Sequence, residues 1–131
     1  MPRVVLDPGV LISAFISPLG PPAALLRAWL EGLFELVVSE TLLGELEDVL
    51  LRAKFRRYGS TKQVARYVRR LREQATSVDD PDDAPRLTAD PKDDYLVALA
   101  RRADALLVSG DAHLTGLPGV MTPREFADAL A

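Results

Sequence analysis

The fold prediction starts from one short segment, Arg3-Val4-Val5-Leu6-Asp7, and from the Pro8-Gly9 pair that follows it. Three consecutive apolar residues, two of them β-branched, predict a strand that the turn residues Pro8 and Gly9 end. A continuous apolar run is typical of a strand buried on both faces of a parallel sheet. Asp7 is then expected at the carboxyl end of an inner strand, where open α/β sheets bind ligands. Alternatively, Asp7 only caps the next helix, and this segment alone does not distinguish the two roles.

The rest of the chain alternates between strand-like and helix-like apolar patterns. Further strands are predicted over 34–38, 105–109 and 120–121, and Val78 is a candidate edge strand. Helices are predicted from Val10, over 23–31, from Ser39 to about 53, from Ser60 to about 75, from Asp90 to about 103, and from Thr122 onward. This alternation predicts one α/β domain over residues 1–131, a three-layer sandwich. Its central parallel sheet has four to five strands, with helices on both faces.

The composition excludes several classes of protein. With 48% hydrophobic residues the chain is expected to be globular, and no apolar stretch approaches the roughly 20 residues that span a bilayer. The N-terminus lacks a signal-peptide pattern and the chain has no cysteine, so we expect a cytoplasmic protein that does not bind membranes. His113 is the only histidine, which excludes a histidine-rich zinc site and disfavours Ser-His-Asp catalysis. A bound metal would therefore need oxygen ligands.

Four acidic residues lie at positions that this architecture tends to bring together: Asp7, Glu45, Asp93 and Asp111. Asp7 ends the first strand, and Asp111 lies two residues beyond the strand over 105–109. Glu45 flanks the apolar face of the helix after the second strand, and Glu47 flanks that face equally well on its other side. Asp93 shares a helical stripe with the apolar residues three, four and seven positions later, whereas Asp94 is expected to turn away by about 100°.

Each acid has an ordinary explanation by itself, as a helix cap, a turn residue or an exposed helix former. Together, however, like charges at one sheet edge repel unless a cation neutralises them. Mg²⁺ or Mn²⁺ suits an all-carboxylate site that keeps several waters. Such ions activate water and neutralise phosphodiester charge during in-line hydrolysis. The four acids therefore predict a divalent-metal site.

Four segments of the chain, in order, resemble those of the PIN-domain ribonucleases. They are 4–14 around Asp7, 34–46 with Glu45, 90–100 with Asp93, and 107–111 ending at Asp111. The similarity continues into the closing segment 120–126 and is greatest to the branch assigned to VapC-like toxins of toxin–antitoxin pairs. It implies a PIN-like, Rossmann-like α/β fold over residues 1–131.

The resemblance also implies an activity. The chain would be a Mg²⁺- or Mn²⁺-dependent endoribonuclease in which the four acids, Asp7, Glu45, Asp93 and Asp111, are the catalytic metal ligands. Ser109 would supply a supporting hydroxyl, and Asp94 is a second supporting candidate. The implied partners are an RNA substrate, a second copy of the chain in a homodimer or larger homo-oligomer, and a cognate antitoxin protein that silences the enzyme.

Two positions depart from the family pattern. The family opening usually reads Asp-Thr-Asn-Val, whereas Pro8 and Gly9 here lack a hydroxyl, a backbone N–H and an amide side chain. Losses of this kind around metal ligands typically cost about 10–100-fold in metal affinity or activity. His113 stands where the family often has another acid. The leading alternative is therefore a catalytically weakened PIN domain that only binds RNA or an antitoxin. A weaker one is a phosphohydrolase with Asp7 as its nucleophile.

Charge is strongly segregated although the net charge is only −3. Residues 52–72 carry nine basic side chains and no acid, whereas residues 79–94 carry seven acids against two bases. The basic segment is a candidate groove wall for RNA phosphates, with Tyr58 or Tyr67 available for base stacking. The alternatives are a solvated helix face or a surface for an acidic partner. The acidic loop over 79–83 is expected to be a solvated linker. The RNA-binding candidates are Arg52, Lys54, Arg56, Arg57, Arg66, Arg69 and Arg70.

Overall fold

Five parallel strands form one sheet in the computed structural model, which describes residues 1–131. In chain order the strands are β1 (Arg3–Leu6), β2 (Glu35–Val38), β3 (Thr76–Ser77), β4 (Leu106–Val108) and β5 (Val120–Met121). Their order across the sheet is β3-β2-β1-β4-β5, so β1 is central. Val4 of β1 pairs with Leu36 on one side and with Leu106 on the other. The apolar residues of β1 are almost completely buried, as their continuous run predicts.

Six α-helices cover this sheet. They are α1 (Pro8–Ile16), α2 (Pro21–Leu30), α3 (Glu40–Leu50), α4 (Thr61–Gln74), α5 (Pro91–Arg102) and α6 (Pro123–Leu130). α1 packs against α2 and α3, α3 packs against α4, and α5 packs against β1 and β4. No single helix is long and apolar enough to cross a membrane; α1 and α2 meet that test only together, as a pair bent by 96°.

The strand order reverses at β1. The chain runs from β1 outward to β2 and β3, and α5 then carries it back to β4 on the other side of β1. Right-handed crossovers place α5 on the sheet face opposite α1 to α4. Helices therefore cover both faces, and the predicted three-layer α/β sandwich is confirmed. The carboxyl ends of β1 and β4 meet at this reversal, which is where open α/β sheets bind their ligands.

The first helix begins two residues before its predicted start at Val10. Pro8 and Gly9 do not form a turn but begin α1, because the Asp7 side chain caps the helix and proline suits its first position. α2 likewise begins at Pro21, two residues before its predicted start at residue 23. In both cases proline marks the start of a helix rather than a break between elements.

The other boundaries shift by a few residues. α3 ends at Leu50 instead of near residue 53, and a short 3₁₀ helix, Ala53–Phe55, follows it. The edge strand is Thr76–Ser77 rather than Val78, although the Val78 N–H still donates to the carbonyl of Val38 in β2. The predicted caps are confirmed, and the side chains that accept from the first turn of their helices are Ser39, Ser60, Asp90 and Thr122.

Candidate active site

Asp7 lies at the carboxyl end of β1. Its side chain caps α1 and also contacts Ser109, the residue after β4. Its Oδ1 accepts a 2.9 Å hydrogen bond from the Gly9 N–H, and its Oδ2 accepts a 2.7 Å bond from the Ser109 hydroxyl. Ser109 directly follows β4 and is fully buried. The two roles that the sequence left open for Asp7 are therefore compatible, because each uses a different carboxylate oxygen.

Asp111 belongs to the same group. Its backbone N–H donates a 3.0 Å hydrogen bond to the Ser109 hydroxyl, and its Oδ1 accepts a 2.8 Å bond from the His113 N–H. Ser109 thus receives a bond from Asp111 while it donates to Asp7, and so connects the two acids. This arrangement fixes the backbone after β4 and keeps Asp111 at the carboxyl edge of the sheet.

Asp93 completes a group of three acids at this edge. It lies in the first turn of α5 and is 8% exposed. Burial raises the pKa of its carboxyl, and the negative charges of Asp111, Asp90 and Asp7 raise that pKa further, whereas His113 lowers it. The side chain of Asp93 has no hydrogen-bond donor or basic partner in the structure. Negative charge therefore accumulates here with little compensation.

Glu45, unlike Asp93, has a basic partner. The Glu45 side chain is 30% exposed and pairs with the Lys92 ammonium at 3.6 Å. This ion pair links α3 to the first turn of α5, next in sequence to Asp93. Across residues 1–131, no three histidine, aspartate or glutamate side chains lie close enough together to hold a metal ion. The structure brings Asp7, Asp93 and Asp111 to one edge, and the role of Glu45 as a fourth ligand stays a prediction.

Comparison with known proteins agrees with this architecture. A sequence profile described as PIN domain matches residues 3–113. The chain belongs to the PIN-domain family. The crystal structure of PAE2754 from Pyrobaculum aerophilum aligns with it at a TM-score of 0.69 and 17% identity, covering 98% of this chain and 95% of that chain. At this identity the likeness supports the fold alone.

No protein with a curated description matches the sequence. PIN domains are generally nucleases and typically use divalent metals.

Asp94 of this PIN domain is buried rather than turned toward solvent, so the prediction of its orientation is wrong. It is 3% exposed, and its Oδ1 accepts hydrogen bonds from the backbone N–H groups of Leu87 and Thr88. The loop before α5 folds over this side of the helix, which periodicity within α5 does not reveal. Burial acts to raise the pKa of Asp94, but these hydrogen bonds outweigh it and lower the pKa. Asp94 therefore supports the loop and does not face the acidic group.

Asp80 shows that the acidic loop is more than a solvated linker. Its carboxylate accepts hydrogen bonds from the Thr41 N–H at the start of α3 and from the Tyr95 hydroxyl on α5. Tyr95 is also hydrogen bonded to the hydroxyl of Ser39, at the end of β2. The sequence interpretation missed this cluster. The only sequence signal for this cluster is Ser39, which is predicted as a helix cap. The sequence does not reveal that its hydroxyl also bonds to Tyr95, which lies 56 residues later.

The basic segment is exposed but does not line the acidic group directly. Gly59 packs against the Phe15 ring near the end of α1, eight residues from Asp7, which corresponds to about 12 Å along a helix. α3 runs about 16 Å from its cap, Ser39 at the carboxyl end of β2, to Leu50. The basic residues that follow Leu50 therefore lie about one helix length away from the sheet edge that carries the acids. Their role in RNA binding stays a prediction. The candidates placed at this far end are Arg52, Lys54, Arg56 and Arg57.

The remaining candidates, Arg66, Arg69 and Arg70, lie on α4, whose buried face is formed by Val64, Val68 and Leu71. All three arginines are exposed, and Arg66 and Arg69 lie on the side of the helix opposite its buried face. They form no ion pairs in the structure. They are thus available to phosphates.

Two open clefts meet at Asp111. The first, of about 440 Å³, extends from Asp7 toward the starts of α2 and α6. The second, of about 330 Å³, is lined by Asp93 and His113. The acidic group therefore lies between two depressions that could receive the two sides of an extended substrate.

Proposed function

We propose that the protein is an endoribonuclease of the PIN type that depends on Mg²⁺ or Mn²⁺. The observation that carries the proposal is the placement of Asp7, Asp93 and Asp111 along the carboxyl edge of β1 and β4, where they line two clefts that share Asp111 and where Asp93 has no basic partner. Carboxylates with this much uncompensated charge suit a hard divalent cation, because no protein ammonium or guanidinium group neutralises them.

The donor set fits such a cation in its chemistry. Asp7, Asp93 and Asp111 would move closer together to hold the ion, because their side chains are too far apart to share it in this structure, and Glu45 would join them by leaving Lys92. All four donors are carboxylates, as Mg²⁺ and Mn²⁺ prefer, and the chain has no cysteine that would favour a softer metal. When bound, a divalent cation neutralises phosphodiester charge and lowers the pKa of water for in-line hydrolysis.

The other side chains have positioning and binding roles in this proposal. Ser109 orients the Asp7 carboxylate through its hydrogen bond to Oδ2. Lys92, which precedes Asp93 in the first turn of α5 and is 74% exposed, would contact a substrate phosphate. The arginines on α4 would bind RNA phosphates farther along the strand, where each contact adds salt-dependent affinity.

The biological role follows from the same family resemblance. We propose that the enzyme is the toxin of a toxin–antitoxin pair, that it acts in the cytoplasm as a homodimer or larger homo-oligomer, and that a cognate antitoxin silences it. A purified complex with the product of an adjacent gene would support this role. A nuclease that is active when overproduced yet harmless to cells would contradict it.

The experiment measures Mn²⁺ binding by calorimetry and RNA cleavage on the same samples. The variants are Asp7→Asn, Gly9→Asn and the matched control Asp128→Asn, an exposed acid on α6. We expect wild type and Asp128→Asn to bind Mn²⁺ and cleave RNA, and Asp7→Asn to lose both properties. If wild type does neither while Gly9→Asn gains either one, the natural protein is a weakened PIN domain that only binds. If no variant binds metal, the proposed site is wrong.

A further inference from the structure

The cleft beside Asp7 has a floor formed by α1. Gly9 and Ser13 are four residues apart and therefore lie on the same face of the helix. Pro22 at the start of α2 and Pro123 at the start of α6 form its walls. Its volume of about 440 Å³ lies within the range of about 300–1,000 Å³ typical of small-ligand sites. The cleft is large enough for one flat ring system.

The glycine at position 9 keeps this cleft open. Gly9 is exposed and helical, and its backbone does not have a positive φ, so this position does not require glycine. A Cβ built at Gly9 would lie 3.6 Å from Oδ1 of Asp7, which is an ordinary contact. Any larger side chain here would extend into the cleft. The absence of a side chain at Gly9 therefore leaves room next to Asp7.

The lining of the cleft indicates which part of a substrate it receives. Apart from Asp7 and Asp111, it has no titratable side chain. Proline rings offer apolar faces to a flat ring, and the Ser13 hydroxyl can donate to or accept from one edge of that ring. A phosphate would find no basic group in this cleft. Unstacked bases are what proteins read in single-stranded RNA.

We propose that the cleft bounded by Gly9, Ser13, Pro22 and Pro123 binds a nucleobase of the RNA strand, next to the phosphodiester held at the acidic group. The proposal rests on the nuclease function proposed above and adds a specificity site to it.

Neutral nucleosides test this proposal without metal and without repulsion by the acids. Uridine, cytidine, adenosine and guanosine are titrated into the protein with chelator present, and binding is followed by NMR at the amides of Gly9, Ser13 and Gly110. Ribose serves as the base-free probe. The variants Gly9→Leu and Ser13→Leu fill the cleft from two positions, and Gly44→Leu is the matched control because a side chain there meets no atom within 4 Å.

We expect at least one nucleoside to bind wild type and Gly44→Leu with a Kd of about 1 mM, while ribose does not shift these amides. Gly9→Leu and Ser13→Leu should bind that nucleoside at least tenfold more weakly. The proposal is overturned if no nucleoside shifts these amides at millimolar concentration, or if both leucine variants bind like wild type. Nucleoside binding without any Mn²⁺ binding or RNA cleavage would refute the nuclease proposal alone. RNA cleavage with unaffected leucine variants would refute the base site alone.

Discussion

The Ser109 hydroxyl donates a 2.7 Å hydrogen bond to Oδ2 of Asp7 and thereby joins the carboxyl ends of β1 and β4. Because the same hydroxyl accepts from the Asp111 N–H, one small buried side chain orients two of the acids. The geometry of the acidic group therefore depends on Ser109 as much as on the acids themselves.

Replacing Ser109 by alanine should weaken metal binding without unfolding the protein. The loss of an orienting hydrogen bond typically costs about 10–100-fold in metal affinity, and the unpaired Asp111 N–H should lower the free energy of unfolding by about 1–3 kcal/mol. Calorimetry with Mn²⁺ and urea unfolding measure the two effects. Ser77→Ala, at an exposed position of β3, is the matched control. Unchanged Mn²⁺ affinity in Ser109→Ala would show that Asp7 does not need this partner.

Lys92 competes with any cation for Glu45. An ion pair between partly exposed groups is worth about 0–1 kcal/mol, so Lys92→Met should release Glu45 and tighten Mn²⁺ binding by up to about fivefold. The binding of RNA should weaken in the same variant, because a cation near the scissile phosphate is lost. Lys62→Met, on the outer face of α4, controls for the change in net charge. Weaker Mn²⁺ binding in Lys92→Met would mean that the lysine supports the site rather than competing for it.

The hydrogen bonds to Asp80 should appear in the acid denaturation of the protein. Burial acts to raise the pKa of Asp80, but hydrogen bonds from Ser39, Tyr95 and Thr41 outweigh it, so the pKa lies below its ordinary value of about 3.9. A lowered pKa in the folded state means that Asp80 stabilises the fold above about pH 4 and that this contribution is lost as the pH falls through the folded-state pKa. Urea unfolding between pH 6 and pH 2 should show a shallower loss of stability in Asp80→Asn than in wild type. Asp79→Asn, which is exposed, should follow wild type.

Asp94 should protect the loop before α5 from proteases. Its carboxylate accepts the backbone N–H groups of Leu87 and Thr88, and an amide in its place accepts them more weakly because it carries no charge. Limited proteolysis should therefore cut the loop over 81–89 faster in Asp94→Asn than in wild type or in the exposed control Asp83→Asn. Equal cutting rates in all three proteins would show that other contacts hold the loop.

Local patterns were sufficient to predict the sheet, the helices and three of the acids. Asp7 and Asp111 follow apolar runs, and Asp93 shares a stripe with apolar residues, so strand ends and helical periodicity locate all three. These signals depend only on neighbours within a few positions. They also predicted the capping residues, because a cap acts on the turn that directly follows it.

The remaining features depend on contacts between distant segments. Asp94 is buried by a loop that folds back onto α5. Asp80 accepts hydrogen bonds from Thr41, which is 39 positions before it, and from Tyr95, which is 15 positions after it. Glu45 on α3 pairs with Lys92 on α5. Periodicity within one element contains no information about what covers that element from outside. The direction of Asp94 was therefore predicted wrongly, and the partners of Asp80 were not predicted.

The central position of β1 has a consequence for synthesis of the protein on the ribosome. The strand that carries Asp7 is translated before the segment with Ser109 and Asp111, which complete its surroundings and follow more than 100 residues later. At about 5–20 residues per second, the nascent chain waits roughly 5–20 s between these events. During that interval the ribosome carries a chain without a complete acidic group. The acidic group of the proposed nuclease is therefore complete only after the segment that carries Ser109 and Asp111 has been translated.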